Sequence, residues 1–131
     1  MYKAVISSSV KAVIAQRLVR VLCNNCKTEY TPDDLEAETL GISGEKLKGQ
    51  KVYRSAGCDE CVNIGYKGRM SIYEIMILDN EIQSLVLKTQ DSNRIQNEAV
   101  KKGMTTLRED GVNKILKGIT TIEEVLRVTN A

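Results

Sequence analysis

An α+β fold is predicted: an N-terminal helix, a small cysteine-knuckle region with a short antiparallel sheet, then a C-terminal bundle of short helices. Three observations predict it. The only four cysteines stand as two C-x2-C pairs, Cys23/Cys26 and Cys58/Cys61, with thirty-one residues between them. Short apolar runs around the second pair read as strands, above all Lys67 to Leu78. The last third repeats a cap, one apolar stripe and a glycine stop, which is the pattern of short helices. The 131 residues suffice for one ordinary domain or two small ones. With five Tyr and no Phe or Trp, the core must come from Val, Ile, Leu and Met, in small layers.

Taken in order, Tyr2 to Ile6 reads as a short strand and Ser7 to Ser9 as N-cap candidates. Val13, Ile14, Leu18, Val21 and Leu22 follow helical spacing. Arg17 falls within that stripe, where its stem packs and its head reaches the edge; a buried pair with an acid is the sharper alternative. Asp33 and Asp34 suit a helix first turn, Gly41 suits its end, and Ser43 to Gln50 reads as loop. Lys51 to Ser55 reads as a strand. Lys67 to Leu78 is the strongest strand candidate, but its alternation is imperfect and its register stays open.

The helical third begins at Asp79/Asn80, candidate caps for a stripe of Ile82, Leu85 and Val86. A second helix closes on two lysines and Gly103. Thr106-x-x-Glu109 and Thr121-x-x-Glu124 each fit a capping box that opens a further helix. Gly111 lies inside a helix, where it costs about 1 kcal/mol relative to Ala; a close helix crossing would explain it. Each helix is short enough to need its neighbours, so 79–131 is expected to be a bundle.

C-x2-C twice is metal-ligand spacing. Two tight turns, each presenting two thiolates, supply the tetrahedral sulfur set that zinc favours. Turn N–H groups can donate to the sulfurs and orient them. Lys27, Lys51 and Arg54 are candidates to offset the site's negative charge. Two disulfides, a thioredoxin-type redox pair and a rubredoxin-like iron site are the other readings. No run has the make-up of an export signal, which disulfides in a secreted chain would need. A redox pair needs one C-x2-C, and a rubredoxin-like site carries an aromatic core; iron electron transfer stays open as the rival. Cys23, Cys26, Cys58 and Cys61 are therefore the expected ligands of one structural zinc. Four thiolates fill the shell, and without histidine no open catalytic position is expected.

No apolar run approaches the roughly 18 residues of a membrane span, and the chain reads as cytosolic. The charge of +2 gives no sign of a polyanion-binding face. Lys101, Lys102, Arg108, Lys114 and Lys117 would be the patch of a zinc-ribbon nucleic-acid binder, but lysine at helix ends is the commoner explanation. There is no Gly-x4-Gly-Lys-[Ser/Thr] loop for phosphate and no histidine for acid–base chemistry, so no catalytic residue is expected.

Three stretches in order carry a resemblance: "SSSVKAVIAQRLVRVLC", "GCDECVNIGYKGRMSIYEIM" and "GMTTLREDGVNKILKGITTIEEVLRVT". Together they resemble the C-terminal part of the secretion ATPases that drive type II secretion (general secretion pathway protein E) and type IV pilus assembly. The resemblance implies an excised or remnant piece of a hexameric ATPase on the cytoplasmic face of the inner membrane. It implies 1–20 as the end of the missing ATPase core, 21–78 as a tetracysteine zinc-binding subdomain and 79–131 as a helical C-terminal subdomain. The implied partners are neighbouring ATPase subunits and inner-membrane platform proteins, with no nucleic acid. ATP and Mg²⁺ are implied only for the full-length parent, because the family's phosphate loop, acidic boxes and histidine box lie upstream. Exposure of the first helix's apolar stripe would favour self-association.

Overall fold

The computed structural model describes residues 12–129, so the readings of Tyr2 to Ile6 and Ser7 to Ser9 lie outside the described residues. The expected N-terminal helix is corrected: Ala12–Leu22 is a strand, β1. Its apolar residues fit a helical stripe, but Val13, Ile14, Val19 and Val21 are β-branched and suit a pleated surface. A long-range partner decides the matter. β1 pairs with β4, Tyr66–Ile77. Cys23 N–H donates to Gly65 O at 3.0 Å, and Gln16 reaches Ser71 at 2.7 Å. Residue numbers fall on one strand as they rise on the other, so the pair is antiparallel. Arg17 is exposed and bonds the carbonyl of Gln16. The proposed self-association stripe is thus no helix, though Ile14 and Leu18 are exposed on the strand.

A second antiparallel pair joins β2, Thr28–Tyr30, to β3, Val52–Arg54, with Glu29 opposite Tyr53. The expected helix after Pro32 is present as α1, Asp34–Glu38, with Asp33 accepting from Glu36 N–H at 2.7 Å. Gly41, expected to end that helix, instead opens a 3-10 helix, Gly41–Leu47, which takes in the first part of the stretch read as loop and buries Leu47. Four helices follow: α2, Asn80–Lys88; α3, Ser92–Lys101; α4, Leu107–Leu116; and α5, Ile122–Thr129. Asp79 caps α2 through Ile82 N–H, Asp91 caps α3 through Asn93 N–H, and Thr121 accepts from Glu124 N–H at the start of α5. Gly103 ends α3 with φ +104°, a conformation that glycine adopts without strain.

These helices do not form the single bundle expected of them. The described residues divide into two compact units, one of residues 12–15 and 73–106, the other of residues 16–72 and 107–129. In the first, α2 and α3 enclose Ile82, Val86, Ile95 and Ala99 with Met76 and Leu78 from the strand end. Here β4 settles its register: Glu74 and Met76 face inward while Tyr73, Ile75 and Ile77 are exposed. In the second unit α4 and α5 bury Val112, Ile115, Ile122 and Val125 against Ala37, Leu40, Leu47 and Val52. Each such aliphatic side chain contributes about 1.5–3 kcal/mol on burial; α2 and α3 find that surface on the strand end just before them, α4 and α5 on residues 37–52, far away in sequence. Two short helices alone would not supply it.

The crossing expected at Gly111 is present. A Cβ built there would stand 2.5 Å from Cγ1 of Val125 on α5. Valine is stiff at χ1 and cannot swing aside. Gly111→Ala is therefore expected to lower stability by about 1 kcal/mol, the overpacking cost exceeding the gain in helix propensity. A urea melt at equal or higher midpoint for the variant would contradict a tight crossing.

Candidate metal centre

Each C-x2-C turn is held by backbone hydrogen bonds that follow from its length. In the first, Cys26 N–H and Lys27 N–H both return to Cys23 O, at 3.4 and 3.0 Å. In the second, Asn63 N–H donates to Cys58 O at 2.8 Å and Ile64 N–H to Cys61 O at 3.2 Å. Val62 and Asn63 take left-handed conformations there, φ +56° and +60°, which is uncommon for a β-branched residue. The turns also join the two sheets. Cys23 follows β1 and Cys26 precedes β2, while Cys58 follows β3 and Cys61 precedes β4. Each knuckle therefore links a strand of one pair to a strand of the other.

All four sulfurs predicted from the spacing come together, within 4.8 Å of one another. Cys23 to Cys58 is 3.8 Å, Cys26 to Cys61 is 3.8 Å and Cys58 to Cys61 is 3.7 Å. Four thiolates around one ion with bonds of about 2.3 Å define a tetrahedron with edges of about 3.8 Å. The cysteines are unpaired by disulfides, and the residues present fit a single metal ion. Cys23 and Cys61 are buried, while Cys26 and Cys58 are partly open.

N–H groups surround the sulfurs, as the spacing led us to expect. Gly57 N–H donates to Cys26 Sγ at 3.3 Å, Cys58 N–H to Cys61 Sγ at 3.3 Å and Gly65 N–H to Cys61 Sγ at 3.2 Å. A side-chain donor joins them: Asn25 Nδ2 lies 3.2 Å from Cys58 Sγ. Burial pushes Cys61 up, but the Gly65 and Cys58 N–H groups outweigh it and hold the thiol at about 6. The Asn25 amide is the main cause that lowers Cys58. Burial raises Cys23 to about 11. Hydrogen bonds to Cys58 and Cys61 thus favour the thiolate, the form a metal binds. The three candidate cations have other partners. Lys27 Nζ donates to Gly118 O at 2.9 Å behind α4 and sits over the Tyr53 ring, Lys51 pairs with Glu29, and Arg54 stacks on Tyr30.

A second cluster, absent from the sequence reading, braces the knuckle strands. Glu124 on α5 is 1% exposed. Its carboxylate accepts from Arg20 Nε at 2.8 Å, from Arg20 N–H at 2.9 Å and from Arg127 Nη2 at 2.8 Å. The capping box of α5 is therefore half made: Thr121 accepts from Glu124 N–H, but the Glu124 side chain serves the arginines. Tyr66 OH meets Thr121 Oγ1 at 2.9 Å, Thr120 Oγ1 donates to Arg20 O at 2.7 Å and Leu22 N–H to Ile119 O at 2.7 Å. The start of α5 is thereby fastened to the strand residues that carry Cys23 and follow Cys61. The signal that could have found this cluster was a lone acid on the buried side of the last amphipathic helix.

Comparison with known proteins gives a consistent picture. The family model described as Type II/IV secretion system protein matches residues 1–127. The chain is 44% identical over 95% of its length to a type IV pilus assembly ATPase, PilB, of Thermus thermophilus. It is 42% identical over 95% of its length to the type II secretion system protein E of Pseudomonas aeruginosa, and 42% identical over 93% to the type IV pilus assembly ATPase TfpB of Acinetobacter baylyi. It spans 14%, 24% and 21% of the length of these three relatives.

Proposed function

The chain belongs to the Type II/IV secretion system protein family, and on that premise we propose that it forms a non-catalytic, zinc-holding C-terminal part of an ATPase that powers type II secretion or type IV pilus assembly. Cys23, Cys26, Cys58 and Cys61 are the ligands of one structural zinc. The knuckles of 21–78 brace the surrounding strands and helices, and the outer surfaces meet neighbouring subunits and partners at the cytoplasmic face of the inner membrane. The observation that carries this reading is the sulfur tetrahedron, built where four strand ends meet. Its shell is filled by sulfur, so the metal offers no position for substrate. When bound, zinc would supply cross-linking and not chemistry. The residues supply the rest: N–H groups orient the sulfurs, and the Arg20–Glu124–Arg127 cluster holds the strands that carry them.

Four of the five cations of the nucleic-acid reading have partners within the chain. Lys102 pairs with Asp79 and Glu81, Lys101 with Glu98, Lys114 with Asp110, and Arg108 bonds Thr129. Among the described residues, no helix is long and apolar enough to cross a membrane. With zinc bound, the chain is expected to release no phosphate from Mg-ATP above a protein-free blank. Steady hydrolysis by the pure chain, lost on substituting a residue of this chain, would overturn the non-catalytic reading.

A further inference from the structure

We propose that Asn25 is a positioning residue for the metal centre, holding Cys58 in place and controlling how readily the ion is lost through the centre's open side. The inference rests on the zinc reading above. Its basis is a reciprocal pair of donors across the two knuckles. Asn25, between the ligands of the first knuckle, donates Nδ2–H to Cys58 Sγ of the second at 3.2 Å. Gly57, beside the second knuckle, donates its N–H to Cys26 Sγ of the first at 3.3 Å. Cys26 and Cys58 are the partly open ligands, whereas Cys23 and Cys61 are buried. Each sulfur that solvent or a competing chelator can approach is therefore fastened from the opposite turn.

A metal-bound thiolate only accepts, so the amide must present its nitrogen to the sulfur, and an isosteric carboxylate would be repelled there. The two donors also differ in kind. A backbone N–H is available from any residue but proline, whereas the Asn25 donor depends on side-chain identity. Asn24, its neighbour in the same turn, is exposed as Asn25 is, but among the described residues it makes no hydrogen bond to a cysteine sulfur.

The test uses the zinc-loaded chain and the variants Asn25→Ala, Asn25→Asp and Asn24→Ala, with zinc transfer to a colorimetric chelator followed in time. Loss of such an outer hydrogen bond is expected to weaken metal binding by about ten-fold for Asn25→Ala and more for Asn25→Asp, with Asn24→Ala unchanged. Two further readouts separate positioning from general loosening. Peptide-resolved alkylation should rise at Cys58 and not at Cys23, and the thiolate-to-metal absorption band of the cobalt-substituted Asn25 variants should shift. Equal transfer rates, alkylation and spectra in wild type and Asn25→Asp would overturn the role of Asn25. Wild-type protein that takes up no zinc would overturn the zinc reading and this inference together, so the two failures are distinguishable.

Discussion

Removing the metal from the zinc-loaded chain is expected to unfold the segment that runs from Leu22 to Tyr66. Binding at a four-thiolate structural site contributes about 10–16 kcal/mol in small zinc peptides near neutral pH, against a whole-domain stability of about 5–15 kcal/mol. The local sequence offers little to replace it. β2 and β3 are three residues each, α1 is five, and Val62 and Asn63 are held in left-handed conformations beside the second knuckle. Chelation should abolish amide protection at Gly57, Cys58 and Gly65, whose N–H groups point at sulfur. Cys61→Ser should act in the same direction without chelator, since Cys61 is buried and accepts two of those N–H bonds. Exchange rates unchanged by chelation would show that the knuckles stand without a metal.

The second large effect is expected at Glu124. Removing one member of a buried, hydrogen-bonded ion cluster costs about 3–5 kcal/mol. Arg20 and Arg127 remain about half exposed and can be hydrated once freed, so Glu124→Ala is placed at the lower end, about 3 kcal/mol. Acid should uncover the same interaction. Burial alone would raise the Glu124 carboxyl, but the hydrogen bonds from Arg127 and Arg20 prevail and hold it at about 2. A carboxyl lowered on folding contributes its stability fully above its unfolded value and loses it as pH falls toward the folded one. The wild type should therefore lose stability between about pH 4.5 and pH 2 through this group. Glu124→Gln should be the weaker protein at pH 7, and its deficit should shrink across that window. Urea melts at several pH values, on protein of matched metal content, measure the difference; a constant deficit would mean that the carboxylate charge is not what binds the arginines.

What could be read in advance followed from how local each signal is. The cysteine spacing encodes two turns, and a turn needs no distant partner, so the four sulfurs that come together were legible. So were α2 to α5, marked by Asp79, Gly103 and the boxes that begin at Thr106 and Thr121, each acting within one helical turn. β1 was not legible, because its apolar residues fit a helix until β4, more than forty residues later, supplies the ladder. The same holds for Arg20 and Glu124, 104 residues apart. Arg17, by contrast, lies inside the apolar stripe and yet is exposed. The helical third was correctly divided into elements but wrongly assembled, since apolar stripes show that a helix is covered and not by what. Asn25 carries no signal of its own in the sequence, because C-x2-C defines its middle residues only by number.

The central claim is that four cysteines at the junction of four strand ends clasp one zinc. Elemental analysis of the chain purified without added metal, with thiols counted before and after chelation, tests it most directly. One zinc per chain, with four thiols protected until the chelator is added, is the predicted result. Iron with visible colour, or no metal and four thiols reactive from the outset, would contradict it.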